Sequence, residues 1–237
     1  MKTPVLTVCL SPELTGLQDF SGKVAVVVDI LRASTTIVTA LAHGVKSVLP
    51  VESVEHCREL TKKGYIGAAE RKGKVVEGFE LGNSPFDFMN PNYAGKKIAF
   101  TTTNGTKTIF SITGADKIIL GAFVNIIAVC RVLRKLNKDT VIVCAGWDDE
   151  VNMEDTLFAG ALIDKLQSGF TIKSDPAIMA HRLFKQSEGK LAAFLEDASH
   201  LERLLNLGLQ RDIDFCLTLD TYDVVPVLNN GEIVSDV

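Results

Sequence analysis

Unbroken apolar runs alternate with helix-period segments along most of this chain. Residues 24–30 show no period-two alternation, which predicts a strand buried on both faces. Residues 34–43 predict a helix stopped by Gly44, and 46–51 a second strand. Residues 53–63 form an amphipathic pattern with Val54, Cys57 and Leu60 at helical spacing, closed by Gly64. Strands follow at 65–69, 97–100, 117–120 and 140–145. Helices are expected over 106–112, 125–137 and 154–167, the second with Ile126, Val129, Cys130, Leu133 and Leu136 on one stripe. Residues 175–185, 190–207 and 212–219 look helical, making the last third of the chain mostly α. A strand at 224–228, an Asn229-Asn230-Gly231 turn and the apolar 232–234 segment predict a hairpin or an edge strand.

Alternation of this kind predicts an α/β protein with a largely parallel or mixed sheet, helices on both faces and a helical C-terminal third. No linker divides the 237 residues, so they read as a single domain or as two α/β lobes without a clear boundary. Composition adds limits. Hydrophobic residues make up 46% and charged residues 23%, an ordinary globular profile. A net charge of −4 leaves no basic footprint for nucleic acid. No apolar run has membrane-span length and the Met1-Lys2-Thr3-Pro4 start lacks signal-peptide form, so the expected location is cytoplasmic. Exposed faces on the C-terminal helices leave room for a homodimer. The five cysteines are widely spaced, without zinc or redox spacing, and read as buried structural thiols.

Ligands of open parallel sheets bind beyond the carboxyl ends of the strands, so the strand-to-helix junctions carry the candidate chemistry. At one, Asp29 closes four valines and an alanine, where an unpaired charge is costly; Arg32, Ser34, Thr35 and Thr36 follow. An Asp and an Arg here suit a metal and a phosphate, or else a structural ion pair with Ser34 as helix cap. Another junction is Thr101-Thr102-Thr103-Asn104-Gly105-Thr106, a turn that surrounds backbone N–H groups with hydroxyls before a helix, a geometry suited to anions. Glu70-Arg71 puts a carboxylate beside a guanidinium at a third strand end. Gly82-Asn83 precedes Ser84-Pro85-Phe86-Asp87, which predicts a capping serine, an N1 proline and an N3 acid. After 140–145, five carboxylates fall within residues 148–155, of which Glu154 and Asp155 open a helix with small residues and are candidate metal ligands or bases.

The four histidines lie on predicted helices away from these junctions and suggest surface or interface roles. No nucleophile elbow, Walker loop or dinucleotide glycine fingerprint occurs. What remains is a site rich in Asp, Glu, Arg, Asn and Thr. Oxygen-only ligands favour Mg2+.

Taken in order, Asp29-Ile30-Leu31-Arg32-Ala33-Ser34-Thr35-Thr36, Gly82-Asn83-Ser84-Pro85, Thr101-Thr102-Thr103-Asn104-Gly105-Thr106 and Glu154-Asp155-Thr156-Leu157-Phe158-Ala159-Gly160 resemble the signature blocks of the 2-phosphosulfolactate phosphatase (ComB) family. Gly121-Ala122-Phe123-Val124-Asn125 also fits, and the likeness spans about residues 24–226. One departure is Ala69-Glu70-Arg71, where the family usually has Gly-Glu-Arg; the variable 147–153 segment is a place to tune which acid is accepted. The resemblance implies a fold distinct from the common phosphatases. It also implies a Mg2+-dependent enzyme that removes phosphate from 2-phospho-3-sulfolactate in coenzyme M biosynthesis.

On that footing Asp29 is a Mg2+ ligand or nucleophile. Arg32 and Arg71 hold phosphate, carboxylate or sulfonate. Asn83, Ser84, Thr102, Asn104, Gly105, Thr106 and Asn125 contact substrate. Glu70, as a metal ligand, and Glu154 and Asp155 complete the metal shell or serve as acid and base. The partner is a small anionic phosphoester. The alternatives are another phosphorylated 2-hydroxy acid, such as phospholactate or phosphoglycerate, or a non-catalytic anion-binding protein.

Overall fold

The structure, a computed structural model, describes residues 3–236; Met1 and Lys2, read above for a leader signal, lie outside the described residues. Among the described residues, eleven strands form one sheet in the order β5-β4-β6-β3-β11-β10-β7-β2-β8-β1-β9. One parallel block contains β3 (Ser47–Pro50), β4 (Ile66–Arg71) and β6 (Lys97–Thr101), with β5 (Lys74–Val75) antiparallel at its edge. The other contains β1 (Val5–Cys9), β2 (Val24–Val28), β7 (Lys117–Gly121), β8 (Thr140–Cys144) and β9 (Thr171–Ile172), also parallel throughout. As the unalternating sequence of β2 demands, Val24, Val26 and Val28 enter one core while Ala25 and Val27 enter the other.

The C-terminal hairpin of β10 (Val225–Asn229) and β11 (Glu232–Asp236) is not at an edge, as the sequence allowed, but joins the two blocks at the centre of the sheet. Each junction is registered through one residue pair, Val227 with Ile119 and Ile233 with Val48. All three pairings across the hairpin are antiparallel, so the blocks run in opposite senses along the sheet.

Helix α1 (Ala33–Ala42) has every residue from Ala33 to Leu41 buried. Its hydroxyls are absorbed locally: Thr35 donates to the Ile30 carbonyl at 3.0 Å, Thr36 to the Asn83 carbonyl at 3.1 Å, and Thr39 to Thr35 at 2.8 Å. The remaining helices are α2 (Val54–Thr61), α3 (Gly105–Ser111), α4 (Ile126–Leu136) and α5 (Met153–Leu166), close to the sequence expectation. In the last third come α6 (Asp175–Ser187), α7 (Leu191–Phe194), α8 (Ser199–Asn206) and α9 (Gln210–Cys216). The single helix expected over 190–207 is thus two, because the chain turns between them to bury Leu195 and Ala198 in the core. All five cysteines are buried and free. No helix among the described residues is long and apolar enough to cross a membrane.

Candidate active site

The carboxyl ends of β2, β4, β6 and β8 converge on a cavity of about 580 Å3, roofed by α8. Asp29 lies at its base, 9% exposed. Its N–H is held by the Ser34 hydroxyl and its Oδ1 accepts from the Ala33 N–H at 3.2 Å, so Ser34 fixes the strand end instead of capping α1. Burial pushes the Asp29 carboxyl up to about 6, with Glu70 and Glu154 adding to the rise and the Ala33 N–H and His200 opposing it. Glu70 is also buried at the wall, where it accepts from the Gly73 N–H.

Asn83, Thr102, Thr103 and Asn104 complete this side. Asn83 Oδ1 and Thr102 Oγ1 are buried without a hydrogen-bond partner among the described residues. A β-carbon at Gly105 would lie 2.6 Å from Ala33 Cβ and 2.8 Å from Asp29 Oδ2, so only glycine lets α3 start this close to Asp29.

Arg32 lines the cavity at 4% exposure but is already paired: its guanidinium meets Asp212 of α9. The other Asp212 oxygen accepts from Ser84 Oγ at 3.0 Å. Ser84 therefore does not cap the turn Pro85–Met89 with its side chain; it anchors the residue that holds Arg32. Nothing in the local pattern around Asp212 singles it out.

Seven residues named from the sequence do not line this cavity: Ser84, Gly105, Glu154, Asp155, Arg71, Thr106 and Asn125. Arg71 and Thr106 line a neighbouring cavity with Lys107, on the far side of Thr102 and Thr103, and Arg71 spends its guanidinium on the Glu70 carbonyl (2.7 Å) and Thr101 Oγ1 (3.0 Å). Asn125 is fully buried, accepting from the Ala122 N–H at 2.9 Å and donating to the Val224 carbonyl at 2.8 Å, which ties the end of β7 to the start of β10.

The two acids at the start of α5 diverge. Asp155 Oδ1 accepts from the Ile30 N–H at 2.8 Å and Oδ2 from Gly146 N–H at 3.2 Å and Asn152 Nδ2 at 3.0 Å, which clamps the chain beyond β2 and β8 together. Burial, then the neighbouring Glu154 and Asp29 charges, hold its carboxyl well above the usual range. Glu154, equally buried, accepts at Oε1 from Asn152 Nδ2 (3.0 Å) and meets His200 Nδ1 at 2.6 Å. Its Oε2 has no partner among the described residues.

His200 corrects the reading of the histidines. It is 6% exposed, lines the cavity and stacks on Trp147 with ring centroids 5.2 Å apart and planes 7° apart. Arg203, one turn further along α8, lies over the same indole at 5.8 Å. Sequence reasoning missed both because the helix that carries them reaches the strand ends only in the folded chain; the one local signal is their spacing of three, which puts them on one helix face.

The cavity wall carries three cationic side chains, Arg32, Lys72 and Arg203, against three carboxylates, Asp29, Glu70 and Asp148. Among the described residues no three or more His, Cys, Asp or Glu side chains form a metal cage. An ion held by fewer protein ligands does fit: Asp29 and Glu70 supply carboxylates, and the unpartnered Asn83 Oδ1 and Thr102 Oγ1 supply neutral oxygens. Mg2+ is commonly bound by one or two carboxylates, with substrate phosphate and water completing its shell.

Comparison with known proteins agrees with the blocks along the chain. A family model described as 2-phosphosulpholactate phosphatase matches residues 9–231. A protein of Caldanaerobacter subterraneus named probable 2-phosphosulfolactate phosphatase is 43% identical over 219 residues, covering 90% of this chain and 91% of its own length. Proteins of the same name from Symbiobacterium thermophilum and Thermotoga maritima are 37% and 40% identical, covering 92% and 88% of this chain and 96% and 90% of their own lengths. With the match running from β1 to the C-terminal hairpin, the chain belongs to the 2-phosphosulfolactate phosphatase family.

Proposed function

We propose that this protein hydrolyses 2-phospho-3-sulfolactate to 3-sulfolactate and phosphate, with Mg2+ as cofactor, as a step of coenzyme M biosynthesis. The observation that carries the reading is the charge balance of the cavity. Three cations face three carboxylates, and one of those cations, Arg32, is already neutralised by Asp212. A substrate bearing phosphate, carboxylate and sulfonate would meet no net attraction from such a wall, so a divalent cation at Asp29 and Glu70 supplies what is missing.

When bound, the ion would provide Lewis-acid polarisation of the phosphoryl group. The chain's own residues do the rest. Asp29 and Glu70 hold the ion, and Asn83, Thr102 and Asn104 offer neutral contacts to substrate oxygens. Lys72 and Arg203, which line the cavity where Arg71 does not, hold the carboxylate and sulfonate. Arg32, fixed by Asp212, presents its remaining N–H groups toward the phosphate. The near-total burial of Asp29, Arg32 and Thr102 lowers the local dielectric and strengthens each of these contacts.

The test is phosphate release from racemic 2-phospho-3-sulfolactate, 2-phospholactate, and 2- and 3-phosphoglycerate, with Mg2+ and with EDTA. Metal-dependent release fastest on the sulfonate supports the reading. Faster release from a carboxylate analogue moves the assignment to another phosphorylated 2-hydroxy acid. Binding of sulfolactate without any turnover replaces it with an anion-binding role.

A further inference from the structure

Hydrolysis of an alkyl phosphate makes a demand beyond binding and charge neutralisation. The leaving oxygen departs as a strongly basic alkoxide unless it is protonated as its bond to phosphorus breaks. We propose that His200 is the general acid that protonates this oxygen, with Glu154 as its positioning residue; the proposal rests on the phosphatase reading above.

The geometry restricts the imidazole to one working edge. Nδ1 is engaged by Glu154 Oε1 at 2.6 Å, and one ring face is covered by Trp147 in a near-parallel stack. His200 lines the cavity while Glu154, at zero exposure, stands behind it, so Nε2 is the polar atom left for a ligand. Glu154 is itself fixed, opening α5 and taking a second bond from Asn152 Nδ2. A carboxylate locking one imidazole nitrogen so that the other acts on substrate is a recurrent acid–base arrangement. The charged groups around the ring are Glu154 behind it, Asp29 and Glu70 from the strand ends, Asp148 beside Trp147, and Arg203 one turn along α8.

The step balances as follows. The phosphorus–oxygen bond to the substrate carbon skeleton breaks with its electron pair on that oxygen, which takes the Nε2 proton. A new bond forms from phosphorus to water, or to a carboxylate that water later releases. Water supplies the proton that restores His200, and the sum is ester plus water giving alcohol plus phosphate.

The experiment compares wild type, His200→Asn and Glu154→Gln on 2-phospho-3-sulfolactate and on p-nitrophenyl phosphate, whose leaving group needs no proton. Circular dichroism and melting curves confirm that each variant is folded. His200→Asn should lower kcat on the alkyl ester on the order of 10²-fold or more, with a far smaller loss on the aryl ester. Its kinetic isotope effect from 18O at the bridging oxygen should rise on the alkyl ester, because the bond then breaks unprotonated. Glu154→Gln should repeat the pattern with a smaller loss. Equal losses on both esters, a change in KM alone, or an unaltered isotope effect in folded His200→Asn would overturn the assignment. Absence of any turnover by wild type would instead sink the phosphatase reading itself.

Discussion

Asp29 and Gly105 are in direct opposition: the space where a side chain at Gly105 would begin is 2.8 Å from Asp29 Oδ2. Residues that follow strands of two oppositely running parallel blocks thus pack against each other beside the cavity. Gly105→Ala should shift α3 away from Asp29, since its β-carbon also meets Ala33 Cβ at 2.6 Å, an atom fixed to the backbone of a buried helix that no rotamer change can move aside. Overpacking of this kind costs about 1–3 kcal/mol. We expect a modest fall in Tm and a larger proportional fall in kcat/KM, measured together on one preparation.

The raised Asp29 carboxyl has a stability consequence. With a folded pKa of about 6 against an unfolded value near 3.9, the fold favours the protonated form. That contribution is full below pH ~4 and is lost as pH rises through about 6; for a fully buried group it amounts to roughly 3 kcal/mol. Asp29→Asn should therefore melt higher than wild type at pH 8 in EDTA, and the difference should shrink at pH 4. Added Mg2+ should raise the Tm of wild type but not of the variant, which should also lose phosphate release.

Asp212 is the buried counter-charge of Arg32. Removing one member of a buried pair strands the other, at about 3–5 kcal/mol. Asp212→Ala should lower stability by that order in a denaturant titration. Asp212→Asn, which keeps the Ser84 contact, should lose less stability yet still weaken phosphate binding in the folded protein.

Arg203 lines the active-site cavity and Arg71 the neighbouring one. Arg203→Ala should raise KM for 2-phospho-3-sulfolactate severalfold, whereas Arg71→Ala should change it little because its guanidinium faces Thr101 and the neighbouring cavity. Steady-state kinetics on the two folded variants checks the contrast.

Asn125 sits in a signature block, but its amide is consumed by backbone groups. Asn125→Ala should cost about 1–3 kcal/mol through the unsatisfied Ala122 N–H and Val224 carbonyl. The folded fraction should keep near-native kcat/KM, read at a temperature well below its Tm.

The sequence by itself determined the local elements and much of the site. Valine runs fix β2 as a strand with two buried faces, glycines stop α1 and α2, and the junction after β6 is legible from its threonines and Asn104-Gly105, because each depends on neighbours a few residues apart. Tertiary structure decided the rest. The hairpin entered the centre of the sheet, where only long-range pairing with Val48 and Ile119 could place it. Glu154 met His200 across 46 positions and Arg32 met Asp212 across 180, so no spacing rule links them. Signature blocks mark where the chain must be unusual, but not whether a side chain lines the cavity, as Thr102 does, or clamps backbone, as Asp155 and Asn125 do. That choice belongs to burial: a polar group enclosed away from the cavity has to spend its hydrogen bonds on the fold, and the folded chain alone sets which groups are enclosed.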